Sequence, residues 1–250
     1  MTRNVHYGKT NNMKAVILAG GRGTRLYPYT AVLPKPLMPI GEKPILEIVV
    51  RQLRAAGFTD LTFSVGYLAS LLEAYFGDGS AWGVTIGYSR ETEPLGTAGP
   101  LTLVQGLSES FLVMNGDLLT TLDYGDMIRY HRSKTAAVTV GLFSKQVKID
   151  LGVIERTPDY QVTGYVEKPT MSYDVSMGVY VMEPSVLGHI PAGVRFDLPD
   201  LIKSLVASGE RVVGYPFEGL WLDIGRQDDY TQAVEMFEQN RNLFLPQEVS

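Results

Sequence analysis

The sequence has no cysteine in 250 residues. That removes disulfides, thiolate nucleophiles, iron–sulfur clusters and cysteine-ligated zinc together. It also fits a reducing compartment, so a cytoplasmic location is the expectation. Histidine is scarce as well. With only His6, His131 and His189 available, a histidine-rich metal site or a Ser-His-Asp triad has almost nothing to draw on. His131 ends an expected helix and His189 follows a glycine in another short one, so capping or surface roles are the expectation for both.

An excess of positive charge is absent too. Twenty-two Lys and Arg stand against 27 Asp and Glu, a formal charge of −5, so the dense basic footprint of an obligate nucleic-acid binder is missing. Apolar runs such as Ala15 to Ala19 and Ala136 to Phe143 fall far short of the ~18 residues a membrane helix needs. Residues 1–12 are polar and unpatterned, without the apolar stretch of a signal peptide, and read as a flexible extension. Within them Gly8-Lys9-Thr10 imitates the end of a P-loop. The glycine required five places before Gly8 is Arg3, and no strand precedes it.

What is present is a chain of ordinary globular composition, 45% hydrophobic and 20% charged. From Lys14 onward, short β-rich runs alternate with amphipathic ones, the pattern of βαβ units around a mainly parallel sheet. The expected strands are Ala15–Ala19, Leu61–Val65, Val84–Tyr88 and Phe111–Met114. The expected helices run from Pro44 to Gly57, over Leu68–Phe76 and over Ala98–Leu107. Beyond Asp117 a helix from Tyr124 to His131 precedes crowded strands at 136–143, 152–155, 162–167 and 177–182. A helix at 197–208, a strand at 211–215 and a helix at 227–241 close the chain. The fold class expected is therefore α/β, a mainly parallel mixed sheet flanked by helices and followed by a β-rich lobe. No linker or repeat divides it, so residues 13–250 are read as a single domain with halves meeting near residue 122.

Five motifs carry chemistry. Directly after the first strand comes Gly20-Gly21-Arg22-Gly23-Thr24-Arg25-Leu26, then Pro34-Lys35-Pro36-Leu37. Three glycines in four residues let amide N–H groups turn toward a phosphate, and Arg25 and Lys35 add fixed positive charge. The spacing matches neither a dinucleotide fingerprint nor a P-loop. Asn115-Gly116-Asp117 ends a buried strand where open α/β sheets bind ligands, although Asp117 alone also suits a turn or a helix cap. Trp221-Leu222-Asp223-Ile224-Gly225 places a second isolated aspartate in apolar surroundings, either capping the last helix or joining Asp117 on a hard divalent cation. In Tyr165-Val166-Glu167-Lys168-Pro169 the proline stops a strand and leaves a charged pair at its rim. Without partners such pairs are solvated. Finally, Glu93-Pro94-Leu95-Gly96-Thr97-Ala98-Gly99 reads as a turn into a helix whose first N–H groups face a base or phosphate, or as a plain helix start.

In this order, the motifs resemble the sugar-1-phosphate nucleotidylyltransferases over Met13 to about Ala233. The resemblance implies the Rossmann-like fold of that family, with a nucleotide-binding half (about 13–122) and a sugar-phosphate-binding half (about 123–250). It implies that Leu18, Gly20, Gly21, Gly23, Thr24, Gly96, Thr97 and Gly116 contact the nucleotide. Arg25 and Lys35 would act on the transferring phosphoryl group, Asp117 and Asp223 would hold magnesium, and Gly152, Glu167, Lys168 and Gly178 would contact the sugar phosphate. Ser176-Met177-Gly178-Val179-Tyr180 departs from the family's usual Asn-Ala-Gly at that place, which leaves the sugar open.

The Glu93–Pro100 stretch is closer to guanylyltransferases for mannose- and heptose-type sugars than to thymidylyltransferases. GTP is therefore favoured, with a glucose-1-phosphate thymidylyl- or uridylyltransferase as the alternative. A glycosyltransferase is disfavoured because no Asp-x-Asp occurs. A non-catalytic sugar-nucleotide sensor is the alternative of another class. Homo-oligomers are common in the family, and no motif here specifies one.

Overall fold

The computed structural model describes residues 13–245; the N-terminal extension and Gly8-Lys9-Thr10 lie outside the described residues. In chain order the strands are β1 (Lys14–Leu18), β2 (Pro39–Ile40), β3 (Lys43–Pro44), β4 (Asp60–Val65), β5 (Thr85–Arg90), β6 (Phe111–Asn115), β7 (Leu118–Thr120), β8 (Val138–Lys148), β9 (Val153–Arg156), β10 (Val162–Val166), β11 (Thr170–Met182), β12 (Val212–Phe217) and β13 (Trp221–Asp223). The α-helices are α1 (Ile45–Ala55), α2 (Ala69–Phe76), α3 (Tyr124–Lys134), α4 (Leu198–Ala207) and α5 (Gln227–Phe244).

Seven strands form one sheet in the order β12-β8-β11-β6-β1-β4-β5. The pairs β1–β4, β1–β6, β4–β5 and β8–β12 are parallel, and β11 runs antiparallel to both β6 and β8. The sheet draws strands from before and after residue 122. Strand β1 is apolar from Ala15 to Leu18 because both of its faces are covered: Ala15 and Ile17 join the core on one face while Val16 joins that on the other, as period-two alternation in a doubly covered strand requires. On one side α1 contributes Leu46, Val49, Val50 and Leu53 to the same core. Its Ile45 and Ile48 turn toward Ala233, Phe237 and Phe244 of α5.

The chain leaves β1 for β4 and β5, then returns to place β6 on the other side of β1. This reversal opens a crevice at the carboxyl ends of β1 and β6, the usual ligand position in open α/β sheets.

Several expectations change. The helix over 98–107 is only a short 3₁₀ turn, Gly99–Leu103. Its Ala98 and Gly99 N–H groups donate to the Phe196 carbonyl, at 2.9 and 3.0 Å. Those donors therefore do not face an anion, and Gly99, Pro100 and Gly106 give the segment poor helix propensity. Strand β11 begins at Thr170 rather than Met177 because residues 170–175 pair with 143–148 as an exposed ribbon, which needs no apolar run. Gly152 and Gly178 are not on neighbouring strands: Gly152 precedes β9, whose partner is β10, and Gly178 lies in β11 of the seven-stranded sheet. His131 is neither surface nor cap. It is 1% exposed, with Nδ1 2.8 Å from Thr139 Oγ1 and Nε2 3.0 Å from Glu183 Oε1, so it ties α3 to β8 and the end of β11. No described helix is long and apolar enough to cross a membrane.

Candidate functional site

The glycine-rich segment leaves β1 at the crevice. Gly23 sits at φ +61°, in the left-handed region, and a Cβ there would lie 2.9 Å from Thr30 Cγ2 and 3.3 Å from Lys35 Cβ. Glycine is thus required by backbone and by space. The Gly23 carbonyl accepts Thr30 Oγ1 at 2.8 Å and the Leu26 amide at 2.9 Å, which locks the loop onto the turn Thr24–Leu26. Gly21 is open, with no atom within 4 Å of a Cβ position.

Lys35 starts the turn Lys35–Leu37 between two prolines and is 8% exposed. Burial of a lysine demands a partner, and its ammonium contacts the carboxylate of Asp117. Asp117 follows β6 through Gly116, whose amide donates to the Leu18 carbonyl at 2.9 Å; a side chain at Gly116 would press on Ile17 and Leu18. The β6 end is thereby fixed against the β1 end.

A short ladder brings the second aspartate in. Strand β13 pairs antiparallel with β7, with Asp223 opposite Leu118, and the Ile224 amide donates to the Asp117 carbonyl at 3.3 Å. Asp223 does not cap α5; Arg226 flanks that helix. Partial desolvation and the charge of Asp117 raise the Asp223 carboxyl above its ordinary range, while Lys35 and Arg25 pull the other way. Arg25 Nη1 is 3.5 Å from the Cβ position of Gly225. Arg25, Lys35, Asp117 and Asp223 therefore converge from four separate segments.

The described residues include no cluster of three or more metal-ligating side chains. A magnesium ion does not need one, because it keeps several waters and takes one or two carboxylates beside substrate phosphates. Asp117 Oδ1 is buried without a hydrogen-bond partner, an arrangement that costs about 1–3 kcal/mol or more for a charged group. A hard cation between the two aspartates would satisfy it, so these residues fit the ion.

The other expected residues take two further places. Gly178, at φ +72°, lies where the β8–β11 register shifts, and a Cβ there would come 2.6 Å from Asn115 Nδ2. It thus adjoins the Asn115-Gly116-Asp117 end. Gly152 lies under the Tyr165 ring, and Tyr165 donates to Glu167 Oε2 at 2.9 Å. Glu167 and Lys168 are exposed on the β9–β10 lobe, with Lys168 at φ +46°. Among the described residues, no hydrogen bond or ion pair joins them to the aspartates. Gly96 and Thr97 sit in the loop after β5, where the Thr97 amide and hydroxyl both donate to Asp197.

Glu91 belongs to none of the motifs. It follows β5 at the same sheet edge, its Oε2 accepts the Leu95 amide at 2.7 Å, and its Oε1 lies 2.7 Å from the Cβ position of Gly20. Desolvation raises its carboxyl above the ordinary range. The only sequence signal was an acidic residue at a strand end.

The chain has relatives among known proteins. The chain is 35% identical to a UTP–glucose-1-phosphate uridylyltransferase of Synechocystis, over 94% of this chain and 66% of that protein. It is 33% identical to a mannose-1-phosphate guanylyltransferase of Mycobacterium tuberculosis, over 90% and 64%. It therefore spans slightly under two thirds of the length of these curated relatives. Among solved structures, HddC from Yersinia pseudotuberculosis superposes with a TM-score of 0.69 at 25% identity, covering 90% of this chain and 99% of that one. Residues 14–240 match the family model described as nucleotidyl transferase. That match takes in every residue of the convergent site, and the chain belongs to the nucleotidyl transferase family.

Proposed function

We propose that this protein transfers a nucleotidyl group from a nucleoside triphosphate to a sugar-1-phosphate, releasing pyrophosphate. The observation that carries this reading is the convergence of Lys35, Arg25, Asp117 and Asp223 beside the open glycine loop. GTP and a mannose- or heptose-type sugar phosphate are favoured, supported by the Glu93–Pro100 stretch and by relatives named mannose-1-phosphate guanylyltransferase. The nucleotide is assigned to the half before residue 122 and the sugar phosphate to the half after it. Absence of cysteine supports a cytoplasmic setting.

In this reading a phosphate oxygen of the sugar-1-phosphate attacks the α-phosphorus in line. One P–O bond forms as the bond to the β-phosphate breaks, and the pair of electrons leaves with pyrophosphate. The attacking oxygen is already anionic, so no general base is required, in keeping with a buried and fully occupied His131. Amides of residues 20–23 hold the phosphates, and Lys35 and Arg25 offset the charge that builds as the leaving group departs. Asp117 and Asp223 would hold magnesium, which when bound would supply phosphate orientation and charge neutralisation. Gly178, Gly152, Glu167 and Lys168 are the residues assigned to the sugar phosphate.

A second reading, uridylyl transfer to glucose-1-phosphate, is favoured by the Synechocystis relative. One panel separates them: protein and magnesium with each of four nucleoside triphosphates crossed with several sugar-1-phosphates, scored by pyrophosphate. GTP with mannose- or heptose-1-phosphate is expected to give the fastest release. No release from any pair would sink the proposal in favour of a sensor.

A further inference from the structure

The loop that follows β5 is held from both halves of the chain. From the nucleotide side, Glu91 reaches between Gly20 and the Leu95 amide. From the other half, the segment leading into α4 lies along it. The Phe196 amide donates to the Leu95 carbonyl at 2.9 Å, and the Phe196 carbonyl accepts from Ala98 and Gly99. Asp197 then takes the centre. Its Oδ1 accepts the Thr97 amide at 2.9 Å and the Thr97 hydroxyl at 3.2 Å, and that hydroxyl in turn accepts the Leu198 amide at the start of α4, at 2.8 Å. Gly96 makes room for this: at φ +81°, a Cβ would stand 2.7 Å from both Asp197 Oδ1 and the Phe196 carbonyl.

Thr97 thus has its amide and its hydroxyl committed within the protein. The loop has little regular structure to stiffen it, only the short turn at Gly99–Leu103. Its position against the glycine loop depends on contacts made from outside. Resting on the function proposed above, we infer that Asp197 is a positioning residue for the nucleotide site, holding residues 95–99 as a wall facing the glycine loop although it belongs to the opposite half. Without it the loop must be ordered by the incoming nucleotide, and that ordering is subtracted from binding. The chemical groups on Lys35, Arg25 and the aspartates stay in place, so the effect falls on nucleotide affinity rather than on turnover.

The test compares Asp197→Ala and Asp197→Asn with wild type, using the substrate pair the wild type turns over fastest. Loss of two hydrogen bonds to a carboxylate should raise the nucleotide KM about tenfold in Asp197→Ala. kcat and the sugar-phosphate KM should stay within about twofold. Asp197→Asn keeps an oxygen that accepts both bonds, and should restore the nucleotide KM. Amide exchange in the unliganded protein should accelerate at Thr97 and its neighbours in the Ala variant alone. An unchanged nucleotide KM in Asp197→Ala, or equal rises in both KM values together with a lower melting temperature, overturns the inference. If the wild type binds nucleotide without releasing pyrophosphate, the proposed reaction fails. The ratio of nucleotide Kd values for wild type, Ala and Asn then decides Asp197. Binding of no nucleotide at all overturns both.

Discussion

Replacing Lys35 by methionine isolates the charge at the centre of the site. Methionine approximates the volume and length of the lysine stem, so packing against the two flanking prolines is largely preserved. What disappears is an ammonium on a residue 8% exposed, in contact with Asp117. Breaking one side of a buried ion pair costs about 3–5 kcal/mol. The lower end applies here, because the Asp117 side chain keeps 22% exposure and water can screen part of the orphaned charge. A melting temperature lower by roughly 6–12 °C follows, small enough to leave a folded protein at 25 °C. The catalytic consequence is separable. An ammonium about 4 Å from a phosphoryl oxygen, in an effective dielectric of about 20, contributes about 4 kcal/mol. If gained as the pyrophosphate leaves, that corresponds to roughly 10³ in rate. The assay is kcat from pyrophosphate release at saturating substrates, with melting temperature measured alongside. Turnover of the folded Lys35→Met protein within a few-fold of wild type would refute the role given to Lys35.

Asp117→Asn and Asp223→Asn should each shift the magnesium dependence of pyrophosphate release to higher concentration. An unchanged titration in both removes them from the ion. Gly178→Ala should cost about 1–3 kcal/mol through its left-handed backbone and its approach to Asn115, and should raise the sugar-phosphate KM more than the nucleotide KM; equal effects on both would place Gly178 outside the sugar side. Glu47, buried in α1, is desolvated, which works against its charge, but hydrogen bonds from Tyr75, Arg51 and Lys43 outweigh this and hold its carboxyl below the ordinary value of 4.5. A depressed folded value means that its stabilisation is present above pH 4.5 and disappears as pH falls through the folded value. Glu47→Gln should therefore lose about 1–3 kcal/mol in urea unfolding at neutral pH, and the gap to wild type should narrow in acid. A gap independent of pH would contradict that linkage.

Where burial acts directly on composition, the sequence was legible. β1, β4, β6 and α1 appear close to their expected bounds because each buries faces whose periodicity is written in consecutive residues. The ribbon over 170–175 was missed, since both of its strands are exposed and no apolar run marks them. The burial of His131 leaves no local signal, because its partners, Thr139 in β8 and Glu183 just beyond β11, come from other elements. The 98–107 segment looked helical by apolar spacing, but the backbone donors at its start had a carbonyl waiting at Phe196.

By itself the sequence determined the mixed sheet, the glycine loop after β1 and the identities of the charged residues, because each rests on local composition: glycine at 20 and 23 where a Cβ would collide, apolar runs where both faces are covered. Tertiary structure alone decided which charges meet. Asp117 and Asp223 are far apart in the chain and are joined by two three-residue strands, β7 and β13, too short to leave a periodic signal. Asp197 reaches Thr97 in the same way, across a contact whose strength comes from long-range hydrogen bonds and leaves no trace in neighbouring residues.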